Sequence, residues 1–234
     1  MQRNVRAAAC SSLLLLCALG ASGQGTFQNL GFENTTLTIS LVNPWGPYYA
    51  TNATVPGWDW SPHETFGHGD PNTTVAFNNM ALDAAAVTLH GRGSFRPALS
   101  GNYSILLQGG SQFSPPQFGG AAVFQTGQIP VNAQSLIYLG SIGFQVSFNG
   151  QFLSRVALDS TPTYTRWGID VSPYAGQSGE LRFAVPWLGS GMLDSIQFSP
   201  SPIPEPSALS LSILGIVLVA AFTRSPHRQR IAKD

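Results

Sequence analysis

Hydrophobic positions from Tyr103 onward fall in short runs, several of them alternating apolar with polar, the two-residue period of a strand with one buried face. Six such runs predict strands: Tyr103-Ser104-Ile105-Leu106-Leu107, Ala121-Ala122-Val123-Phe124, Leu136-Ile137-Tyr138-Leu139, Phe144-Gln145-Val146-Ser147-Phe148, Leu181-Arg182-Phe183-Ala184-Val185 and Leu193-Asp194-Ser195-Ile196-Gln197-Phe198. Turn-forming pairs divide them, among them Gly109-Gly110, Ile129-Pro130, Ala175-Gly176 and Ser190-Gly191. Asn149-Gly150 is the sharpest, because both residues tolerate positive φ and the flanking residues alternate, so a tight hairpin is expected there. The run from Phe27 to Glu33 reads as an opening strand. No internal stretch sustains an apolar stripe at helical spacing. The expected fold class is all-β, an antiparallel β-sandwich or jelly roll over residues 24–201.

The two ends follow a different pattern. Arg3 and Arg6 precede an apolar run from Ala7 to Leu19, and the small residues Gly20, Ala21, Ser22 and Gly23 follow. This is the layout of a signal peptide over residues 1–23. At the other end an uncharged stretch, residues 207–223, is followed by a basic tail over 224–234. Seventeen helical residues reach about 25 Å, slightly short of a hydrocarbon core of about 30 Å, so this expected transmembrane helix spans only with local thinning or snorkelling arginines. The arginines behind it should remain cytoplasmic, leaving the domain on the far side of the membrane.

Charge sharpens this division. Eleven basic and eleven acidic residues balance over the 234-residue chain. Six of the basic ones lie at the ends, and residues 24–203 hold five arginines against nine carboxylates, a net of −4, with no lysine. Such a domain is a poor partner for a phosphate backbone, so no nucleic-acid role is expected. Both cysteines, Cys10 and Cys17, sit in the N-terminal apolar run, so a processed domain has neither a disulfide nor a thiolate. The Asn-x-Ser/Thr triplets at Asn34, Asn52, Asn72 and Asn102 reflect the abundance of Asn and Thr.

Pro204-Glu205-Pro206, the apolar helix and the terminal arginines, in that order at the C-terminus, resemble the PEP-CTERM sorting tail, here residues 202–234. That resemblance implies a bacterial exported protein, an exosortase-type enzyme that recognises the tail and cleaves near the motif, transient anchoring in the membrane, and delivery to the cell surface or extracellular matrix. A second resemblance covers most of residues 26–198. The opening Asn29-Leu30-Gly31-Phe32-Glu33, Pro56-Gly57-Trp58, Gly101-Asn102-Tyr103-Ser104 and the closing Leu193-Asp194-Ser195-Ile196 are similar to the strand motifs of galactose-binding-like jelly rolls, the fold of many carbohydrate-binding modules. It implies a structural calcium ion held by Glu33 and Asp194, since hard carboxylate oxygens suit that cation. It also implies aromatic rings stacked on sugars. Trp45, Tyr48, Tyr49 and Trp60 are the expected ligand-binding rings, the first three because they lie in a Pro- and Gly-rich stretch read as an exposed loop. Trp58 follows a Pro-Gly turn and is expected in the core, where aromatics of a sandwich usually go. Exopolysaccharide is the ligand class this suggests.

No catalytic constellation stands out. His63-Glu64-Thr65-Phe66-Gly67-His68 places its histidines five apart rather than four, and Pro62, Gly67 and Gly69 oppose a helix, so it is not the zinc-protease motif. His63, His68, Asp70 and His90 are the remaining metal candidates, against the simpler reading of solvated loop residues. No nucleophile elbow, phosphate loop or dinucleotide motif occurs. The expectation is a non-enzymatic module, with a structural matrix or adhesion component lacking a specific ligand as the alternative and a glycan-active hydrolase third.

Overall fold

The computed structural model describes residues 25–43, 46–62, 73–79, 85–110 and 120–203. The signal peptide, Trp45, His63, His68, Asp70, the Pro204-Glu205-Pro206 motif, the span 207–223 and the basic tail lie outside the described residues. Among the described residues no helix is long and apolar enough to cross a membrane.

Among the described residues fourteen strands follow in chain order: β1 (Ile39–Asn43), β2 (Gly46–Ala50), β3 (Asp59–Ser61), β4 (Thr74–Phe77), β5 (Ala85–His90), β6 (Ser104–Gly109), β7 (Ala121–Gln128), β8 (Ser135–Gly140), β9 (Gln145–Phe148), β10 (Gln151–Phe152), β11 (Arg155–Ser160), β12 (Thr165–Asp170), β13 (Ser178–Val185) and β14 (Ser190–Ser199). One turn of α-helix, Thr51–Thr54, and a 3₁₀ turn, Ser172–Tyr174, are the helical pieces among the described residues. The strands form two sheets. Nine lie in the order β1-β2-β4-β5-β6-β14-β8-β12-β11, and five in the order β10-β9-β13-β7-β3. Pairing is antiparallel except between β4 and β5, which run parallel with Ala76 opposite Thr88.

The alternation in β7 shows why these segments pair as they do. Val123, Gln125 and Gly127 turn inward while Thr126 and Gln128 remain exposed, and the partner strand β13 buries Leu181, Phe183 and Val185. Val87 and Leu89 of β5 and Ile105 and Leu107 of β6 meet Val123, Val146, Phe148 and Phe183 of the smaller sheet in one core. A line of rings runs through it. Trp58 lies 5.6 Å from Phe32 and 6.3 Å from Phe183, and Phe183 lies 5.3 Å from Tyr138 in an edge-to-face arrangement. The expected hairpin at Asn149-Gly150 joins β9 to β10, with φ of 49° and 77° at the two turn residues.

Two expectations are corrected. Residues 27–33 do not form a strand. Asn29 and Phe32 adopt φ of 49° and 57°, which a strand excludes, although Phe27, Leu30 and Phe32 are still buried. The Asn29 side chain holds the resulting coil closed, accepting from the Asn34 N–H at 2.9 Å and donating to the Asn34 carbonyl at 3.1 Å. The second correction concerns Tyr48 and Tyr49, which sit in strand β2 rather than in a loop, opposite Leu41 and Ile39 of β1.

Strand β14 lies in the middle of the larger sheet and carries a bulge. Against β8, Asp194 pairs with Leu139 but Gln197 pairs with Ile137, so one residue is extra. Ser195 absorbs it with φ of 47°. The bulge frees the Ile196 N–H to donate to the Leu30 carbonyl at 2.9 Å, which ties the opening coil to the closing strand.

Candidate functional site

The bulge also sets the direction of Asp194. Its carboxylate is buried and accepts four donors: the Ser100 N–H at 2.9 Å, the Ser104 hydroxyl at 2.6 Å, and the N–H and hydroxyl of Ser195. Glu33 reaches the same loop from the opening coil. Its Oε1 accepts from the N–H groups of Asn102 and Tyr103, at 2.8 and 3.1 Å, and its Oε2 from the Asn102 amide at 3.0 Å. Residues 100–104 are therefore clasped by two carboxylates that lie 161 positions apart in sequence, as their numbers show. Gly101 makes the Glu33 contact possible. Its φ is +58°, and a Cβ there would overlap the Glu33 carboxylate.

The two acids named for calcium thus converge on one loop. What faces them is a set of N–H and O–H donors, which complements an anion rather than a cation. A calcium ion in the same place needs the loop turned so that carbonyls face inward. Among the described residues no three His, Asp or Glu side chains gather where a metal ion could be held.

Burial pushes the Asp194 carboxyl up to about 6, with the four donors pulling the other way. His90, at the end of β5, is the second buried titratable group. Loss of water around the ring, reinforced by the charge of Arg96, lowers it to about 4, so it is neutral at physiological pH. Its Nδ1 lies 2.5 Å from the Ser94 Oγ. A Ser-His contact invites a nucleophile reading, but such a histidine needs a basic pKa near the working pH and a third group to orient it. Here the Nε2 is buried with no partner among the described residues. The pair instead fixes the loop that follows β5.

The aromatic residues named from sequence divide. Trp60 is only 4% exposed, and its indole N–H donates to the Thr74 carbonyl at 2.9 Å. That geometry offers no ring face to a sugar, because β3 lies against β7 with the tryptophan turned inward. Trp58 is buried as expected, donating to the Asn29 carbonyl at 3.1 Å. Tyr49 packs edge-on against Phe77 at 5.7 Å and against the core. Alternation then turns its neighbour Tyr48, half-exposed, to the opposite face of the sheet, between Leu41 and the buried Ala76. Trp167 is covered by the Arg155 guanidinium, 5.4 Å from its ring centre.

The structure exposes two rings not expected from the sequence, Phe152 on β10, 77% exposed, and Phe95. Phe95 is 92% exposed, on the loop between β5 and β6, with Arg92 and Arg96 on either side. Its sequence signal is two of the domain's five arginines within Arg92-Gly93-Ser94-Phe95-Arg96 in a chain only 9% charged. A cleft of about 250 Å³ lies elsewhere, where Pro202 and Ile203 fold back over Ile137, Leu158 and Arg166. Its arginine is paired with Asp159 at 2.7 Å.

No family model matches the chain, and no curated protein matches it. Among solved structures, the enzymatically active domain of tailspike protein 4 of bacteriophage CBA120 is similar at 16% identity and a TM-score of 0.35. The likeness covers 61% of this chain and 19% of the tailspike chain, and at that score it does not establish a common fold. Over the described residues the chain is a two-sheet, all-β protein.

Proposed function

We propose that this chain is an exported, non-enzymatic β-sandwich of galactose-binding-like jelly-roll type that contacts carbohydrate at the cell surface or in the extracellular matrix. Its tail, with Pro204, Glu205 and Pro206 as the sorting motif, hands it to an exosortase-type enzyme, and the helix over 207–223 anchors it until processing. The observation that carries the carbohydrate reading is Tyr48, a half-exposed ring on strand β2 in a stretch of sequence, Asn34 to Trp58, that contains no charged residue. A flat ring beside apolar side chains suits the apolar face of a neutral sugar. A glycan array tests this. Specific binding by the purified protein that disappears in Tyr48→Ala supports the reading, and a blank array overturns it.

A different observation favours a purely structural role. Strand β1 ends the larger sheet, and Ile39, Leu41 and Val42 on it are 58%, 53% and 69% exposed, with no lysine, proline or other charge to discourage pairing. Such an edge suits strand addition by another chain of the matrix. Concentration-dependent association abolished by Leu41→Lys, together with a blank array, supports this second reading over the first.

A further inference from the structure

We propose that the loop from Gly91 to Pro97 is a binding site for an acidic polysaccharide, with Phe95 stacking on a sugar ring and Arg92 and Arg96 pairing with its carboxylate or sulfate groups. This site is separate from Tyr48 and takes a different class of glycan.

The first argument is the state of the arginines. Arg166 pairs with Asp159, Arg182 pairs with Glu180 at 2.8 Å and covers Phe124, and Arg155 lies over Trp167. Arg92 and Arg96 are exposed and have no carboxylate partner among the described residues. In a domain that is net negative, two guanidiniums with no carboxylate partner among the described residues, beside one exposed ring, are a local exception. Guanidinium binds a carboxylate or sulfate through paired N–H donors, and an aromatic face accepts the C–H groups of a pyranose.

The second argument is that the loop is held in place. The Ser94 N–H donates to the Gly91 carbonyl at 3.1 Å, closing a tight turn in which Gly93 takes φ of +86° with open space around it. Asn78 grips the base from the neighbouring strand, accepting from the Gly91 N–H at 2.9 Å and donating to the Arg92 carbonyl at 3.2 Å. His90 meets the Ser94 hydroxyl from below, and the same hydroxyl accepts from the Arg96 N–H at 3.2 Å. Gly91 itself lies against Tyr103, whose ring a Cβ would meet at 2.6 Å. Phe95 is therefore presented to solvent by a fixed backbone, so little ordering is needed when a ligand stacks on it.

Among anionic partners the observations favour a polysaccharide. Two cations in a net-negative domain are too few to hold the dense phosphate backbone of a nucleic acid. One phenylalanine offers too little apolar area to anchor the protein in a membrane interface. A uronate chain is sparsely charged and carries sugar faces between its charges.

The test is native affinity electrophoresis of the full-length protein in gels containing polygalacturonate, with dextran gels and vesicles of anionic phospholipid as comparisons. Polygalacturonate should retard the protein. Phe95→Ala and the double variant Arg92→Gln/Arg96→Gln should each weaken that retardation about tenfold or more with unchanged circular dichroism, and Tyr48→Ala should leave it intact. Absence of retardation, equal retardation of the Phe95→Ala variant, or binding to vesicles without binding to polygalacturonate overturns the proposal. Because Tyr48 and Phe95 are tested separately, loss of one site does not decide the other.

Discussion

His90 and Asp194 should titrate against each other, so that replacing either exposes a pH dependence the native protein hides. Both side chains are essentially free of solvent contact. His90 protonates near 6.5 when unfolded and near 4 when folded, so between those values the unfolded chain binds more protons and acid removes stability. Asp194 protonates near 3.8 when unfolded and near 6 when folded, so over almost the same window the folded state binds more protons and acid adds stability. At about 1.4 kcal/mol per unit, each shift is worth about 3 kcal/mol, and the two nearly cancel. In His90→Asn, whose amide reaches the place of Nδ1, only the Asp194 effect remains. The difference in unfolding free energy between variant and native protein should then shift in the variant's favour by about 3 kcal/mol from pH 7 to pH 4. In Asp194→Asn the difference should move the other way by a similar amount. Urea unfolding at a series of pH values measures this, and taking differences removes the shared titration of surface acids. Curves that stay parallel to the native one across the window refute the reasoning.

Gly101→Ala should lower stability more than Gly93→Ala in thermal unfolding. Both residues have positive φ, worth about 1 kcal/mol, but only at Gly101 must the added methyl displace a carboxylate that holds the loop. Phe183→Ala removes the ring on which Trp58 and Tyr138 both pack and should cost about 3–5 kcal/mol, read from the denaturant midpoint. Because N–H groups face the oxygens of Glu33 and Asp194, addition of calcium or of a chelator should leave the melting temperature unchanged, and a rise of several degrees with calcium contradicts that reading of the clasp.

Most of the strands legible in the sequence have a partly wet face, while β6, buried at five of six positions, is legible from its continuous Ile105-Leu106-Leu107 run. β6, β7, β8, β9, β13 and β14 all fall on the runs that predict them, as does the Asn149-Gly150 hairpin. Two other strands were not legible. Ala85–His90 is buried at five consecutive positions, so its pattern has no period, and Arg155–Ser160 is exposed at nearly every position for the opposite reason. The opening run has the right apolar spacing for a strand. Its fate is decided by side-chain and tertiary bonds, the Asn29 bracket and the Leu30 carbonyl taken by the β14 bulge, which local propensity does not encode.

The site was legible in a similar, partial way. Glu33 and Asp194 can be paired from their motifs, but not the fact that both serve residues 100–104 as hydrogen-bond acceptors. Trp60 and Tyr48 look alike as aromatic residues near glycine and proline. Only register separates them, turning one inward on β3 and the other outward on β2. Phe95 was missed because its exposure depends on a turn fixed from outside the loop, by Asn78 and His90.

The claim that this domain contacts carbohydrate through outward rings is tested most directly by titrating the isotope-labelled protein with neutral and uronate oligosaccharides while following backbone amide shifts. The account predicts changes confined to two places, around Tyr48 on β2 with neutral oligosaccharides and around Phe95 between β5 and β6 with uronates. Spectra that do not move with either sugar contradict it, as do shifts centred on the cleft at Ile203 rather than on these two rings.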